Sequence, residues 1–243
     1  MSQHNGRIAF LVAGLALAGL LATGCSAIAK AKQTFDTVKN NKDTVDAFTQ
    51  NLSSGMSVPF MATYATTGSA PATVVYAVDP SSGGLAIHLT QTGGSASNLQ
   101  LIVNSSGNYS CTQSGSSWSC TKLDKASAAD QENLFNFYTP SHWLNFLKGV
   151  SLVAGLAGDK VSTSSISLNG FDMSCVDLVA HGVSGTSTIC TTQQNILGYV
   201  KVAQDSTSFQ MTNYSGSPSA SLFQLPPGAT VTTVTLPTTT TTT

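Results

Sequence analysis

The cysteines are the residues in this sequence whose number and spacing say most about their chemistry. The chain has 243 residues and five cysteines. They are Cys25, Cys111, Cys120, Cys175 and Cys190. An odd number cannot pair completely within one chain, so one cysteine must be a free thiol, half of an intermolecular bridge, or a chemically modified residue.

Cys25 follows a segment that is typical of an export signal. Arg7 is the only basic residue before an uncharged run, Ile8 to Thr23, that is rich in Leu, Ala and Val. A basic start, an apolar middle and small residues at the end are the three parts of a secretory signal. A transmembrane helix needs about 20 apolar residues, and this run is too short and too rich in Ala. We therefore predict that residues 1–24 are a signal peptide.

The sequence LLATGC at residues 20–25 resembles a bacterial lipobox. In lipoproteins with that motif the cysteine receives diacylglycerol and the chain is cut directly before it. The resemblance implies that Cys25 is the acylated first residue of a mature protein held at the extracytoplasmic face of the cell membrane. Several acyl chains anchor firmly, because each buried methylene contributes about 0.8 kcal/mol. The alternative is an ordinary signal peptide with an incidental cysteine.

The other four cysteines flank two segments that are rich in turn-forming residues. Cys111 and Cys120 enclose TQSGSSWS, while Cys175 and Cys190 enclose VDLVAHGVSGTSTI. Each pair lies on the two arms of a predicted hairpin, where antiparallel pairing brings the cysteines opposite one another. Since exported proteins fold in an oxidising compartment, we predict the disulfides Cys111–Cys120 and Cys175–Cys190.

The remaining polar residues do not form the pattern of a metal or catalytic site. Zinc ligands usually come as closely spaced pairs of cysteines or histidines, and neither spacing occurs in this sequence. HGVSGTS at residues 181–187 differs from a nucleophile elbow because Gly185 directly follows Ser184. No glycine-rich phosphate-binding loop is present. We predict no metal, no cofactor and no catalytic residue, and therefore no enzymatic activity.

Composition excludes some classes of partner. Charged residues are 9% and hydrophobic residues 41% of the chain, and the net charge is −1. Nucleic-acid binding depends on excess basic residues, so we expect none. The apolar content is sufficient for one core, which we assign to a single domain at residues 25–236. Residues 237–243, with six consecutive threonines, are predicted to be a disordered tail.

The period of the apolar residues changes along the chain. A helix is predicted after Cys25, because apolar residues recur there at helical spacing. The residues of this stripe are Phe35, Val38, Val45, Phe48 and Leu52. Between residues 57 and 123 the period becomes two, as in ATVVYAVD, LAIHLTQ and NLQLIVN, which predicts an antiparallel meander. Residues 126–158 lack this alternation and predict two helices, the second beginning at Pro140. Strands then resume from VSTSSISLNG to TSFQMTNY.

This layout resembles the superfamily of bacterial lipoprotein carriers and mycobacterial lipid-binding lipoproteins, which are LolA-like and LprG/LppX-like. The resemblance rests on the lipobox cysteine, the helix before a meander, the mid-chain helices, the segment NGFDMSCVDL…TICTTQQNILGYVKV, and the terminal SLFQLPPGATV. That last segment is similar to an LF-x-x-P-x-G phrase of the superfamily. The resemblance implies an α+β fold: a curved antiparallel sheet, or incomplete β-barrel, with the N-terminal helix and mid-chain helices on its concave face.

The same resemblance implies a membrane-anchored protein that binds or carries the acyl chain of a lipid or lipoprotein in an apolar cavity. A sheet under helices encloses either such a pocket or a packed core. Candidate lining residues on the sheet are Val74, Tyr76, Val78, Ile87 and Leu101. Candidate lining residues on the helices are Phe135, Phe137, Trp143, Phe146, Leu147 and Val150. If the core is filled, the protein is instead a surface-exposed structural or interaction module. We expect a monomer that contacts the membrane through its lipid anchor.

Overall fold

A computed structural model describes residues 26–68, 71–91, 97–124, 139–153, 160–205 and 207–233. Within these ranges, side chains are described for all residues except 26–39 and 150–153. The helices of these ranges are α1 (Ser26–Gly55), α2 (Pro140–Val153) and a short 3-10 helix, η1 (Ala220–Phe223). The predicted signal peptide and the Thr-rich tail lie outside the described residues.

The described residues form twelve strands. Those of the first half are β1 (Phe60–Thr66), β2 (Ala72–Asp79), β3 (Gly84–Gln91), β4 (Asn98–Asn104), β5 (Gly107–Ser114) and β6 (Ser117–Leu123). Those of the second half are β7 (Lys160–Leu168), β8 (Phe171–Val179), β9 (Ser187–Thr192), β10 (Leu197–Lys201), β11 (Ser208–Ser215) and β12 (Thr230–Thr233). Buried and half-buried side chains alternate strictly along β1, as expected where one face of a strand packs on a core.

All twelve strands belong to one open sheet, in the order β12-β6-β5-β4-β3-β2-β1-β11-β10-β9-β8-β7. Strands β1 to β6 form a first antiparallel meander, and β7 to β11 form a second. The two meanders meet at a seam, where β1 pairs antiparallel with β11. The short strand β12 pairs parallel with β6. The strands at the two edges of the sheet are therefore β12 and β7.

The predicted α+β fold class, with a curved antiparallel sheet and several helices on its concave face, is wrong. The described residues form twelve strands but only two α-helices, and the open sheet is mixed because β12 runs parallel to β6. Only α2 represents the predicted mid-chain helices among the described residues, and the helix predicted before it lies outside them. The prediction gave too much weight to the apolar run at 126–158. The described strands are instead rich in β-branched and aromatic residues, which fit a pleated surface.

Helices α1 and α2 pack on one face of the sheet, which we call the inner face. The buried helix residues are Val45, Phe48 and Leu52 of α1 and Trp143, Leu144 and Leu147 of α2. They belong to one hydrophobic cluster with inner-face residues of both meanders. At the seam, the rings of Tyr64 and Phe209 are stacked with centroids 4.2 Å apart, and Tyr64 donates a hydrogen bond of 2.9 Å to the carbonyl of Leu197. The core therefore continues across the seam.

Residues 216–233, which we call the C-terminal strap, cover part of the opposite, outer face of the first meander. Leu225 and Ala229 of the strap pack on a small apolar cluster of this face. The members of that cluster are Ile102, Tyr109, Cys111 and Cys120. The side-chain amide of Asn104 donates a hydrogen bond of 2.8 Å to the carbonyl of Phe223. The strap shields outer-face apolar residues that would otherwise contact water.

Candidate functional site

The predicted lining residues of the sheet all lie on its inner face. Side chains two residues apart on a strand share a face, so Val74, Tyr76 and Val78 of β2 point the same way. In the register of the sheet, Ile87 lies opposite Tyr76 on one side and opposite Leu101 on the other. Cross-strand neighbours of this kind are in contact. The structure therefore brings this half of the predicted set together.

Most members of the predicted set are packed into the core cluster. Those with at most 4% of their surface exposed are Val74, Tyr76, Ile87, Leu101, Trp143 and Leu147. These residues belong to the same cluster as the buried residues of α1. Close packing of this kind is the property of a filled core.

The other predicted helix residues lie elsewhere. Phe146 is 41% exposed on α2 and contacts the edge of the Trp143 ring, with centroids 5.7 Å apart. The side chain of Val150 is outside the described part of α2, and Phe135 and Phe137 are outside the described residues altogether.

A row of apolar side chains at one end of the inner face is only half-buried. It begins at Val78, which lies opposite Leu85, and Leu85 lies opposite Val103. Asn108 on β5 continues the row from Val103 to Leu123 on β6. All five side chains are half-buried. We call Val78, Leu85, Val103, Asn108 and Leu123 the half-buried row.

The half-buried row is long and mostly aliphatic. It crosses five adjacent strands, and four inter-strand spacings of about 4.8 Å give it a length of about 19 Å. Its first three members, all aliphatic, are directly opposite one another, so their side chains form a continuous surface. An elongated apolar group is the kind of partner that such a surface fits.

The described residues contribute no buried charge to the inner face. Among the described residues, the buried polar side chains are an asparagine and threonines. Burial raises the pKa of Tyr64 well above its ordinary value, and the neutral phenol donates a hydrogen bond to the carbonyl oxygen of Leu197. Such an interior accepts an uncharged hydrocarbon and disfavours an ionic group.

Both predicted disulfides are present, on the outer face. Cys111 lies directly opposite Cys120 on β5 and β6, and Cys175 lies opposite Cys190 on β8 and β9. The Cα atoms of each pair are 4.0 Å apart, and all four cysteines are buried. Each disulfide links two adjacent strands on the side of the sheet opposite the helices.

The polar residues considered for catalysis lie in an exposed turn between β8 and β9. His181 and Ser184 are both exposed, and the Ser184 hydroxyl accepts a hydrogen bond of 3.0 Å from the side chain of Gln204. Positive φ angles at Gly182 and Gly185 are typical of a tight turn. No three His, Cys, Asp or Glu side chains are grouped as metal ligands in the part of the chain that the structure describes.

The sequence predicted one member of the half-buried row, Val78, as a lining residue, but it did not predict the row as a whole. The segment SLFQLPPGATV was noted in the sequence, but not that this segment covers the outer face. Leu85 and Val103 were visible as apolar positions in LAIHLTQ and NLQLIVN, but alternation alone does not separate a fully buried position from a half-buried one. The strap follows from tertiary contacts between residues far apart in sequence. Its available local signal was the PPG turn at residues 226–228.

Comparisons with known proteins do not assign a family. No protein-family model matches the sequence, and no curated protein matches it at a significant level. A crystal structure of an uncharacterized conserved protein from Thermus thermophilus is similar over 79% of this chain and 99% of that chain, with 6% sequence identity and a TM-score of 0.44. A similarity at that level carries no argument about function. None of the described helices is both long and apolar enough to cross a membrane.

Proposed function

We propose that the protein is an exported lipoprotein, anchored through Cys25, that holds the acyl chain of a lipid against the inner face of its sheet. The observation that carries this proposal is the half-buried row, a mostly aliphatic surface about 19 Å long that is not fully covered. Water contact at such a surface is unfavourable, and an acyl chain would remove it.

The chemistry of the inner face supports a hydrocarbon ligand. An acyl chain needs no hydrogen-bond partner, and each of its methylenes contributes about 0.8 kcal/mol when buried. The described interior offers aliphatic and aromatic contacts and no buried charge. Asn108 is the polar member of the row and lies between Val103 and Leu123.

Several sequence features support export and anchoring. The signal-like segment and the lipobox precede α1 directly. The two disulfides suit an oxidising compartment. The lipobox and the terminal SLFQLPPGATV also resemble those of LolA-like and LprG/LppX-like lipoproteins, for which lipid binding is the implied activity.

Lipid binding is tested by native mass spectrometry of the exported chain carrying Cys25→Ser, which removes the acylation site. We expect lipid to co-purify reproducibly and in a fixed ratio to protein. Ligand-free protein with unchanged stability after mild and harsh purification would contradict the proposal.

A pair of variants on β3 locates the ligand. Leu85→Asn replaces an aliphatic member of the half-buried row with a polar side chain of similar size, and we expect about fivefold less bound lipid because about 1 kcal/mol of apolar contact is lost. Thr90→Asn changes an exposed residue on the outer face of the same strand and should leave lipid binding unchanged. Equal lipid content in the two variants would place the ligand elsewhere.

The anchor is tested separately. Cys25→Ser should move the protein from the membrane fraction to the soluble exported fraction, since no acyl chain can then be attached. Ser26→Ala, next to the predicted cleavage site, keeps the cysteine and serves as the control. An unmodified Cys25 in the mass spectrum of the membrane-bound parent would refute lipidation without bearing on the ligand.

A second function is favoured by a different observation. Val74, Ile87, Leu101 and Leu147 are at most 1% exposed and pack in one cluster, which suits a filled core and a structural or interaction module. In that case mass spectrometry finds no bound lipid in the parent protein, and none in either Leu85→Asn or Thr90→Asn.

A further inference from the structure

Among the described residues, strand β7 forms an edge of the sheet with no strand paired beyond it. It has nine residues and pairs with β8 without a register shift. Its central residues, Ser162–Ser165, are all exposed. Between Val161 and Leu168 it contains neither charge nor proline. Edge strands are usually protected by lysine, proline or a bulge, and this stretch of β7 has none of them.

The β7–β8 hairpin determines which backbone groups point outward. Its two-residue turn is Asn169-Gly170, with φ angles of 55° and 82°, as in a type I′ turn. The flanking residues Leu168 and Phe171 then form a hydrogen-bonded pair, and alternate residues back along β7 bond to β8. The residues between them direct their N–H and C=O groups away from β8. These residues are Val161, Thr163, Ser165 and Ser167.

Clefts border β7 on both faces. A cleft of about 500 Å³ separates the hairpin from α1 and is lined by Thr44 and Asn51 of α1 together with Thr163 and Ser165. A cleft of about 460 Å³ on the other side is lined by residues of β7 to β11, including Asp177 and Tyr199. A strand added along β7 would therefore have space for its alternating side chains.

The lining of the inner cleft restricts what that strand can be. Hydroxyl and amide side chains share this lining with apolar side chains of α1 and β8, and none of the lining residues is charged. The cleft therefore suits small, uncharged side chains. Strand β7 itself presents such residues on its inner face, at Thr163, Ser165 and Ser167. A second β7 therefore satisfies the requirements of the cleft.

We propose that β7 pairs antiparallel with β7 of a second copy of this chain, about a two-fold axis at Ser164. This register places Thr163 opposite Ser165 of the second copy, so the outward N–H and C=O groups bond to one another. Thr–Ser pairs across strands are favourable, and Lys160 lies opposite an uncharged Leu168. The interface is isologous, as most two-fold dimers are.

This dimer is independent of lipid binding. The edge belongs to the second meander, whereas the half-buried row belongs to the first. Failure of one proposal therefore leaves the other in place.

Self-association is measured by sedimentation of the exported Cys25→Ser chain from about 5 µM to about 500 µM, because dimer content depends on protein concentration. We expect a monomer–dimer equilibrium over this range. Amide hydrogen exchange, followed by NMR, identifies which residues form the dimer interface. Thr163 and Ser165 should become protected as dimer forms, while Ser162 and Ser164 are protected at every concentration by their bonds to β8.

Variants at Ser165 test the register. Ser165→Pro removes an outward N–H but none of the bonds to β8, and we expect dimerisation at least tenfold weaker, since two lost hydrogen bonds per dimer correspond to about that factor. Ser165→Ala keeps the N–H and should dimerise like the parent. If Ser165→Pro does not fold, Thr163→Lys serves instead, because it brings two like charges to the interface.

Three results would overturn the proposal. A monomer with freely exchanging edge amides at every concentration shows that no strand is added. Edge amides that are protected at every concentration indicate that a segment of the same chain covers β7. A dimer that survives both Ser165→Pro and Thr163→Lys uses another surface.

Discussion

At the scale of single residues, Gly55 determines how α1 meets the second meander. It is the last residue of α1 and is buried. A Cβ atom added there would lie 2.2 Å from the carbonyl oxygen of Asn195 and 2.6 Å from its carbon. Those atoms are main chain in the turn between β9 and β10 and cannot rotate away. Glycine is therefore required for this contact between helix and turn.

We predict that Gly55→Ala lowers the free energy of unfolding by about 1–3 kcal/mol, the range for overpacking a buried site. Gly149→Ala is the matched control, because Gly149 is exposed on α2 and a Cβ there would meet nothing within 4 Å. It should stabilise the protein by up to about 1 kcal/mol through helix propensity. Urea unfolding measures both variants, and equal stability of the two would contradict the role assigned to Gly55.

At the scale of elements, the C-terminal strap is held to the outer face by side chains of β3 and β4. The Nε2 atom of His88 lies 3.2 Å from the carbonyl oxygen of Leu222, so this nitrogen carries the proton in the neutral ring. Burial lowers the pKa of His88 below its ordinary value of 6.5, and the bond to Leu222 opposes that shift more weakly. The strap therefore covers a histidine that favours the neutral form.

This shift makes stability depend on pH in a defined direction. Below pH 6.5 the unfolded chain binds a proton at His88 more readily than the folded chain, so stability is lost as the pH falls from 6.5 towards the lower folded pKa. His88→Gln keeps an N–H for Leu222 but does not titrate. We expect the loss of stability between about pH 7.5 and about pH 5, measured by urea unfolding, to be smaller in His88→Gln than in the parent. An identical loss would show that His88 does not contribute.

At the scale of the whole molecule, the seam between β1 and β11 makes two meanders into one sheet. Tyr64 and Phe209 stack across it, and the hydrophobic cluster extends to both sides. Neither meander buries its inner face by itself, because the helices and the residues of both meanders share that cluster. The molecule should therefore unfold as one cooperative unit.

The two tryptophans can test this cooperativity. Trp118 lies on β6 of the first meander, and Trp143 lies on α2 in the core cluster. In the Trp143→Phe variant the fluorescence comes from Trp118 and reports on the first meander. In the Trp118→Phe variant it comes from Trp143 and reports on α2 and the core cluster. We expect each variant's transition to coincide with its own circular dichroism transition during denaturation. Separate transitions would show that the first meander and the helix-covered core do not unfold as one unit.

Some features of this protein follow from local sequence. The two disulfides were predictable because each cysteine pair is close in sequence and flanks a turn, so hairpin pairing alone brings the sulfurs together. Most strands were predictable for a similar reason, since alternation of apolar residues reports one covered face. The stripe on α1 predicted the burial of Val45, Phe48 and Leu52.

Other features depend on contacts that no local pattern encodes. Thr63 lies opposite Asn213 at the seam, and nothing in either strand specifies a partner so distant in sequence. The predicted fold class was wrong because the high apolar content of residues 126–158 does not determine how many helices form. The half-buried row lies on five consecutive strands of the first meander, but its exposure depends on where the helices and the rest of the chain pack on the inner face. By itself the sequence determined the disulfides, most strands and the helix stripe, because these depend on near neighbours. Only the tertiary structure decided the strand order, the course of the strap and the exposure of the half-buried row, because these depend on which distant segments pack together.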